Sequence, residues 1–156
     1  MRIIGIDPGL LHTGYGVIQT EGQRLIYKTS GIINPKADLS LAERLSFIFK
    51  ELSKVIESYS IDEASVEETF VNQNPRSTLK LGQARGAALL APAVLGIPVF
   101  EYAANTIKKN VTGVGHAEKQ QVSIMVKTLL SGYVSKGTDA DDALASAICH
   151  AFLRRF

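Results

Sequence analysis

One cysteine, Cys149, occurs in 156 residues. A single thiol excludes an internal disulfide and any multi-cysteine metal site, and it fits a chain kept in a reducing cytoplasm. Cys149 falls on an apolar helical stretch, where a free cysteine serves as a small buried hydrophobe. No apolar run approaches the roughly 18–20 residues of a membrane-spanning helix. The N-terminus offers no signal peptide: Arg2-Ile3-Ile4-Gly5-Ile6 is too short, and Asp7-Pro8-Gly9 cuts it off. Internal repeats, linkers and low-complexity segments are also missing, so residues 1–156 are expected to form one domain with its own core. Several chemistries lack their signatures. His12, His116 and His150 have no metal-like mutual spacing, and neither a Ser-His-Asp pattern nor a Gly-x-x-x-x-Gly-Lys loop occurs. Gly14-Tyr15-Gly16 lacks the third glycine of a dinucleotide fingerprint.

Net charge is only +2, but its distribution is uneven. Residues 71–86 carry Arg76, Lys80 and Arg85 and no acid. Residues 103–138 carry Lys108, Lys109, Lys119, Lys127 and Lys136 against Glu118 alone. Residues 57–68 hold Glu57, Asp62, Glu63, Glu67 and Glu68 and no base. Basic segments flanking an acidic one suit a protein that grips phosphates beside a carboxylate cluster.

The β-branched run Ile3, Ile4, Ile6 predicts a buried strand over residues 2–7. Residues 15–20 and 25–33 read as two more strands joined by a turn at Glu21-Gly22-Gln23. Ser40 and Glu43 form a capping box for an amphipathic helix carrying Leu41, Leu45, Ile48, Leu52, Val55, Ile56 and Tyr59. A short strand at Ala64-Ser65-Val66 leads to Glu67. Pro75 opens an alanine-rich helix ending by Gly96, and Pro98-Val99-Phe100 is a fifth strand. A helical piece near residues 105–110, a helix over about 118–130 and a last helix from Thr138 almost to Phe156 complete the order, leaving no tail for another function. An antiparallel meander followed by strand–helix alternation predicts an α/β fold: a five-stranded mixed sheet flanked by helices on both faces.

Asp7 ends the first strand, at the edge where α/β folds place ligand sites. Glu67 ends a second apolar strand. Because neighbouring strand residues face opposite ways, only one of Glu67 and Glu68 can share a face with Asp7. Asp139 and Asp142, three apart, lie on one side of the last helix, with small residues Ala143, Ser146 and Ala147 continuing that side. Asp141 points elsewhere, and with Thr138 as N-cap it is expected to complete a capping box. Four carboxylates at one sheet edge would suit Mg2+. Two such ions activate water and stabilise the leaving 3′ oxygen of a phosphodiester.

Gly5-Ile6-Asp7-Pro8-Gly9 with Thr13-Gly14-Tyr15-Gly16 resembles the opening of the RuvC crossover-junction endodeoxyribonucleases. So do Val66-Glu67-Glu68-Thr69-Phe70, Leu79-Lys80-Leu81-Gly82-Gln83-Ala84-Arg85-Gly86, Val99-Phe100-Glu101-Tyr102-Ala103-Ala104, Gly113-Val114-Gly115 with Ala117-Glu118-Lys119, and Asp139-Ala140-Asp141-Asp142-Ala143-Leu144-Ala145. The resemblance spans nearly the whole chain in order. It implies a ribonuclease-H-like fold, a homodimer, and magnesium-dependent symmetric nicking of Holliday junctions in recombination and repair, with Mn2+ as a substitute. It also implies Asp7, Glu67, Asp139 and Asp142 as metal-binding catalytic acids, Lys119 as a catalytic and DNA-contacting lysine, and Lys108 near the same site. Phe70 matches an aromatic that would stack on an unpaired base. Arg76, Lys80, Arg85 and Lys109 are expected to contact DNA phosphates. Partners implied are four-way junction DNA and a branch-migration helicase complex of RuvA and RuvB type, with no membrane. The alternatives are a ribonuclease-H-type nuclease on another nucleic acid, a junction binder without catalysis, and an ATP-binding domain opening on Gly5-Ile6-Asp7-x-Gly9. The chain is too short for the last of these.

Overall fold

The computed structural model describes residues 1–68 and 73–154. Its strands are β1 (Arg2–Asp7), β2 (Thr13–Glu21), β3 (Arg24–Ile33), β4 (Glu63–Glu67) and β5 (Val99–Tyr102). Its helices are α1 (Leu41–Tyr59), α2 (Pro75–Val94), α3 (Ala104–Thr112), α4 (Lys119–Leu129) and α5 (Thr138–Leu153). The sheet runs β3-β2-β1-β4-β5. β1, β2 and β3 form the antiparallel meander, whereas β4 and β5 run parallel to β1. The mixed sheet expected from the sequence is therefore present, with β1 in the middle.

Period-two alternation divides the core. Ile4, Ile6 and Val17 face α1 and α2, where they join Ile48, Leu52, Ile56, Ala88 and Ala91. Ile3 and Ile18 face the opposite way, with Leu144, Ala147 and Ile148 of α5 and with Val122 and Val126 of α4. Odd-numbered residues of β1 and β4 thus look toward α5: Ser65 Oγ lies 2.6 Å from Ser146 Oγ, and Glu63 reaches His150.

At two glycines helix α5 lies on the sheet with almost nothing between the two backbones. A Cβ built on Gly5 would sit 1.9 Å from the Ala143 carbonyl oxygen, and one on Gly14 would sit 2.0 Å from that of Asp139. Glycine is required at both positions because main chain, not a movable side chain, fills the space.

The caps follow the sequence at one helix and depart from it at another. Ser40 and Glu43 form the expected box on α1, and Asn74 caps α2 just ahead of Pro75. At α5 the N-cap is Gly137, at φ 123°, with no side-chain cap. Asp141 therefore completes no capping box. Its carboxylate instead accepts hydrogen bonds from Ser123, Tyr133 and Ser135. Cys149 is buried as expected, and burial pushes its thiol up to about 12.

At the far end of α5, Glu63 accepts from Arg154 Nη2 at 2.6 Å and lies 2.7 Å from His150 Nε2, while Tyr102 Oη meets His150 Nδ1 at 2.7 Å. The Arg154 hydrogen bond holds the Glu63 carboxyl below its ordinary value of 4.5. Burial outweighs Glu63 at His150 and holds that imidazole below 6.5. Because the folded value of Glu63 is depressed, its contribution to stability is present above pH 4.5 and fades as pH falls through that lower value. Wild type is expected to exceed Glu63→Gln by about 1–3 kcal/mol at neutral pH. Urea titrations at pH 7, 5 and 3 should show that advantage shrinking below pH 4.5; an advantage that grew there would contradict the assignment.

Candidate active site

The register of the sheet puts two acids side by side. Ile6 pairs with Val66 across β1 and β4, so the next step along both strands brings Asp7 level with Glu67, both on the face toward α5. Glu68 takes the opposite parity and is exposed. Its backbone N–H donates to the Tyr102 carbonyl at 2.9 Å. Behind Asp7 the turn is fixed: Thr13 Oγ1 donates to the Gly9 carbonyl at 2.6 Å and accepts from Gly9 N.

The first turn of α5 brings the other acids. Asp142 lines a small cleft of about 140 Å³ with Asp7, Glu67, Lys108 and Lys119. Asp139 opens on the adjoining groove of about 900 Å³, which also includes Asp7, Lys119, Arg76 and Lys80. Asp7 and Lys119 belong to both, so cleft and groove are continuous.

Electrostatics reports the same convergence. The Asp7 carboxyl is pushed up to about 8, first by burial and then by Glu67, Asp142 and Asp139, with Lys119 opposing. Glu67 is pushed up to about 7, first by burial and then by Asp142, against Lys119 and Lys108. Burial is also the first cause raising Asp142. Lys119 Nζ stands 3.5 Å from Asp142 Oδ2, and that carboxylate is the main reason its ammonium is held above 10.5.

Among the described residues, no three carboxylate, imidazole or thiol side chains stand close enough to share one ion as they are. The cluster nevertheless offers only hard oxygen donors, crowded enough to resist ionising together, and such a set fits a divalent cation of the magnesium or manganese kind.

The remaining sequence candidates divide. Arg76 and Lys80 line the groove, and Lys108 lines the cleft. Lys109 is exposed on α3 and lines neither, and Arg85 pairs with Glu101 of β5 instead. Phe70 lies outside the described residues. Sequence reading missed Leu10, Leu11, Leu41, Leu81 and Arg44, which shape the groove. They come from a turn and two helices and carry no shared spacing that could have announced them.

A five-stranded mixed sheet in this order, with acids gathered at the end of its central strand and on the helix laid across it, belongs to the ribonuclease-H-like α/β class. The model of the family described as crossover junction endodeoxyribonuclease RuvC matches residues 3–150. The chain is 56% identical over 154 residues to the crossover junction endodeoxyribonuclease RuvC of Paramagnetospirillum magneticum, covering 99% of this chain and 93% of that one. It is 58% identical to the protein of the same description from Methylocella silvestris, covering 99% and 88%. Among solved structures, T. thermophilus RuvC in complex with Holliday junction substrate matches with a TM-score of 0.92 at 31% identity, covering 99% of this chain and 95% of that one. The chain belongs to the RuvC family of crossover junction endodeoxyribonucleases. No helix among the described residues is long and apolar enough to cross a membrane.

Proposed function

We propose that this protein is a metal-dependent endonuclease that resolves Holliday junctions by nicking two opposed strands, in homologous recombination and DNA repair. The observation that carries the reading is the meeting of Asp7, Glu67, Asp139 and Asp142 with Lys119 and Lys108 where cleft and groove join. A pure binder of phosphates would gain nothing from half-buried acids in its groove, since each repels the ligand.

Asp7, Glu67, Asp139 and Asp142 would hold divalent ions, Mg2+ first and Mn2+ as substitute. When bound, a pair of such ions supplies an activated water and charge stabilisation for the leaving 3′ oxygen. The protein's own groups do the rest. Lys119 directs its ammonium into the cleft and offsets negative charge that grows on the scissile phosphate. Lys108 adds a second cation on the cleft wall, while Arg76 and Lys80 receive flanking phosphates along the groove. Lys109 serves as an outlying contact, and Phe70 as the base-stacking aromatic. Binding through several phosphates should weaken steeply as salt rises.

Two opposed cuts call for two sites related by a two-fold axis, hence a homodimer. The outward face of α2 supports this: Leu79, Leu90 and Val94 are exposed at 64%, 53% and 61%, and a Cβ on Gly82 or Gly86 would meet nothing within 4 Å. A branch-migration complex of RuvA and RuvB type is the expected further partner on family grounds, and the cytoplasm the expected compartment.

The test is cleavage of a labelled mobile four-way junction beside linear duplex and RNA–DNA hybrid, with magnesium or with chelator. Paired nicks confined to the junction and lost with chelator are expected. Cleavage of the hybrid in preference would turn the reading to a ribonuclease-H-type enzyme, and junction binding without cleavage under either metal would leave a binder.

A further inference from the structure

We infer that Asp141 is a positioning residue, which locks α4 to the start of α5 so that Lys119 faces Asp142 across the cleft. The inference rests on reading that cleft as the place where strands are cut. Asp141 is 2% exposed, and a carboxylate so deeply buried is costly unless hydrogen bonds replace its water. Three hydroxyls do so: Ser123 Oγ at 2.6 Å, Tyr133 Oη at 2.6 Å and Ser135 Oγ at 2.7 Å. Hydrogen bonds to an ionised acceptor are the strong and directional kind, and these arrive from α4 and from two points of the connection between α4 and α5. Ser135 Oγ in turn accepts from Gly137 N, and Tyr133 Oη from Lys136 N, both at 3.3 Å. The whole approach to α5 is therefore gathered on one side chain.

The consequence lies on α4. Lys119 and Ser123 are four apart and share a helix face. Lys119 meets Asp142 while Ser123 meets Asp141, so two contacts one turn apart on α4 engage adjacent residues of α5. The Lys119–Asp142 contact cannot orient the helix alone, since the lysine side chain is 70% exposed at 3.5 Å and such pairs are weak. Val122 and Val126 bury against the core, but apolar contact has no direction and permits rolling. The Ser123–Asp141 bond is short and anchored on α5, and it fixes how far Lys119 reaches. A reacting group displaced by about 1 Å loses up to about 100-fold in rate.

Ser123→Ala is the chosen variant because it cuts the tie to α4 and leaves Asp141 two donors, so the fold survives. Single-turnover cleavage of a saturating four-way junction should slow about tenfold, with junction Kd unchanged, and Ser123→Thr should restore most of the rate by returning the hydroxyl. The variant is also combined with Lys119→Ala. If Asp141 acts through Lys119, the double variant cleaves no more slowly than Lys119→Ala alone. Full activity in Ser123→Ala, or losses that multiply in the double variant, would overturn the inference while wild-type cleavage leaves the assigned function standing. A wild type that cannot cleave would remove both.

Discussion

Asp7→Asn is expected to abolish strand cutting and, at the same time, to raise the melting temperature of the metal-free protein. The two effects have one origin. Asp7 is half-buried, and desolvation, then Glu67, Asp142 and Asp139, push its carboxyl from 3.8 up to about 8. A carboxyl whose folded value lies above its unfolded value binds its proton more tightly in the folded state. Its favourable contribution is complete below pH 3.8 and is lost as pH rises toward 8. Glu67 acts in the same sense between 4.5 and about 7. The metal-free cluster therefore opposes folding most strongly at and above pH 8. Asparagine keeps the shape and cannot ionise. A carboxyl held even one pH unit above its unfolded value costs about 1.4 kcal/mol, and each kcal/mol moves Tm by about 2–4 °C in a chain of this size. The gain should be largest near pH 8 and vanish near pH 4. Magnesium should then raise the Tm of wild type more than that of the variant. On the rate side, losing one acid of the proposed metal-binding set should cost at least about 10³-fold. Thermal melts at pH 4 and 8, with magnesium and without, run beside single-turnover cleavage, check all of this together. A variant that melts lower at pH 8 without metal would mean that the acids are not in conflict.

Gly86→Arg should leave the protomer folded and break the proposed dimer. Gly86 lies on the outward side of α2, in line with Leu79, Gly82, Leu90 and Val94, whereas Ala84, Ala88 and Ala91 face inward. Within one chain an added side chain has free space, and replacing a mid-helix glycine improves helix propensity by up to about 1 kcal/mol. Any loss must then come from a second molecule. Two glycines four apart let another helix approach closely, and a bulky cation prevents that approach. The dimer Kd is expected to rise at least tenfold, read by sedimentation, and junction products should change from paired nicks to unpaired ones. Gly86→Ala, small and helix-favouring, separates the two effects: it should raise Tm while weakening association only modestly. Unchanged dimerisation in Gly86→Arg would move the two-fold axis elsewhere.

Much of this was legible from the chain because the relevant rules are local. Alternation along β4 allows only Glu67 or Glu68 to share a face with Asp7, and the register chooses Glu67. Spacing on α5 pairs Asp139 with Asp142. Other residues obeyed rules that run through space. Arg85 reads as a free cation until β5 brings Glu101 to it. Asp141 reads as a capping acid until Gly137 takes the cap and three hydroxyls, from positions 123, 133 and 135, claim the carboxylate. The groove lined by Leu10, Leu41 and Arg44 exists only once a turn and α1 stand beside α2.

The bare contact of α5 on β1 and β2 has a mechanical meaning. Where Gly5 meets the Ala143 carbonyl and Gly14 meets that of Asp139, there is no side chain to rearrange, so the joint can separate but cannot slide or adapt. Asp7, Asp139 and Asp142 stand on either side of it and behave as one rigid anvil. Since Asp141 ties α4 to this same helix, a bent and branched substrate would have to come to the acids rather than the acids to it. In such a machine the acids keep the gauge and the DNA does the fitting.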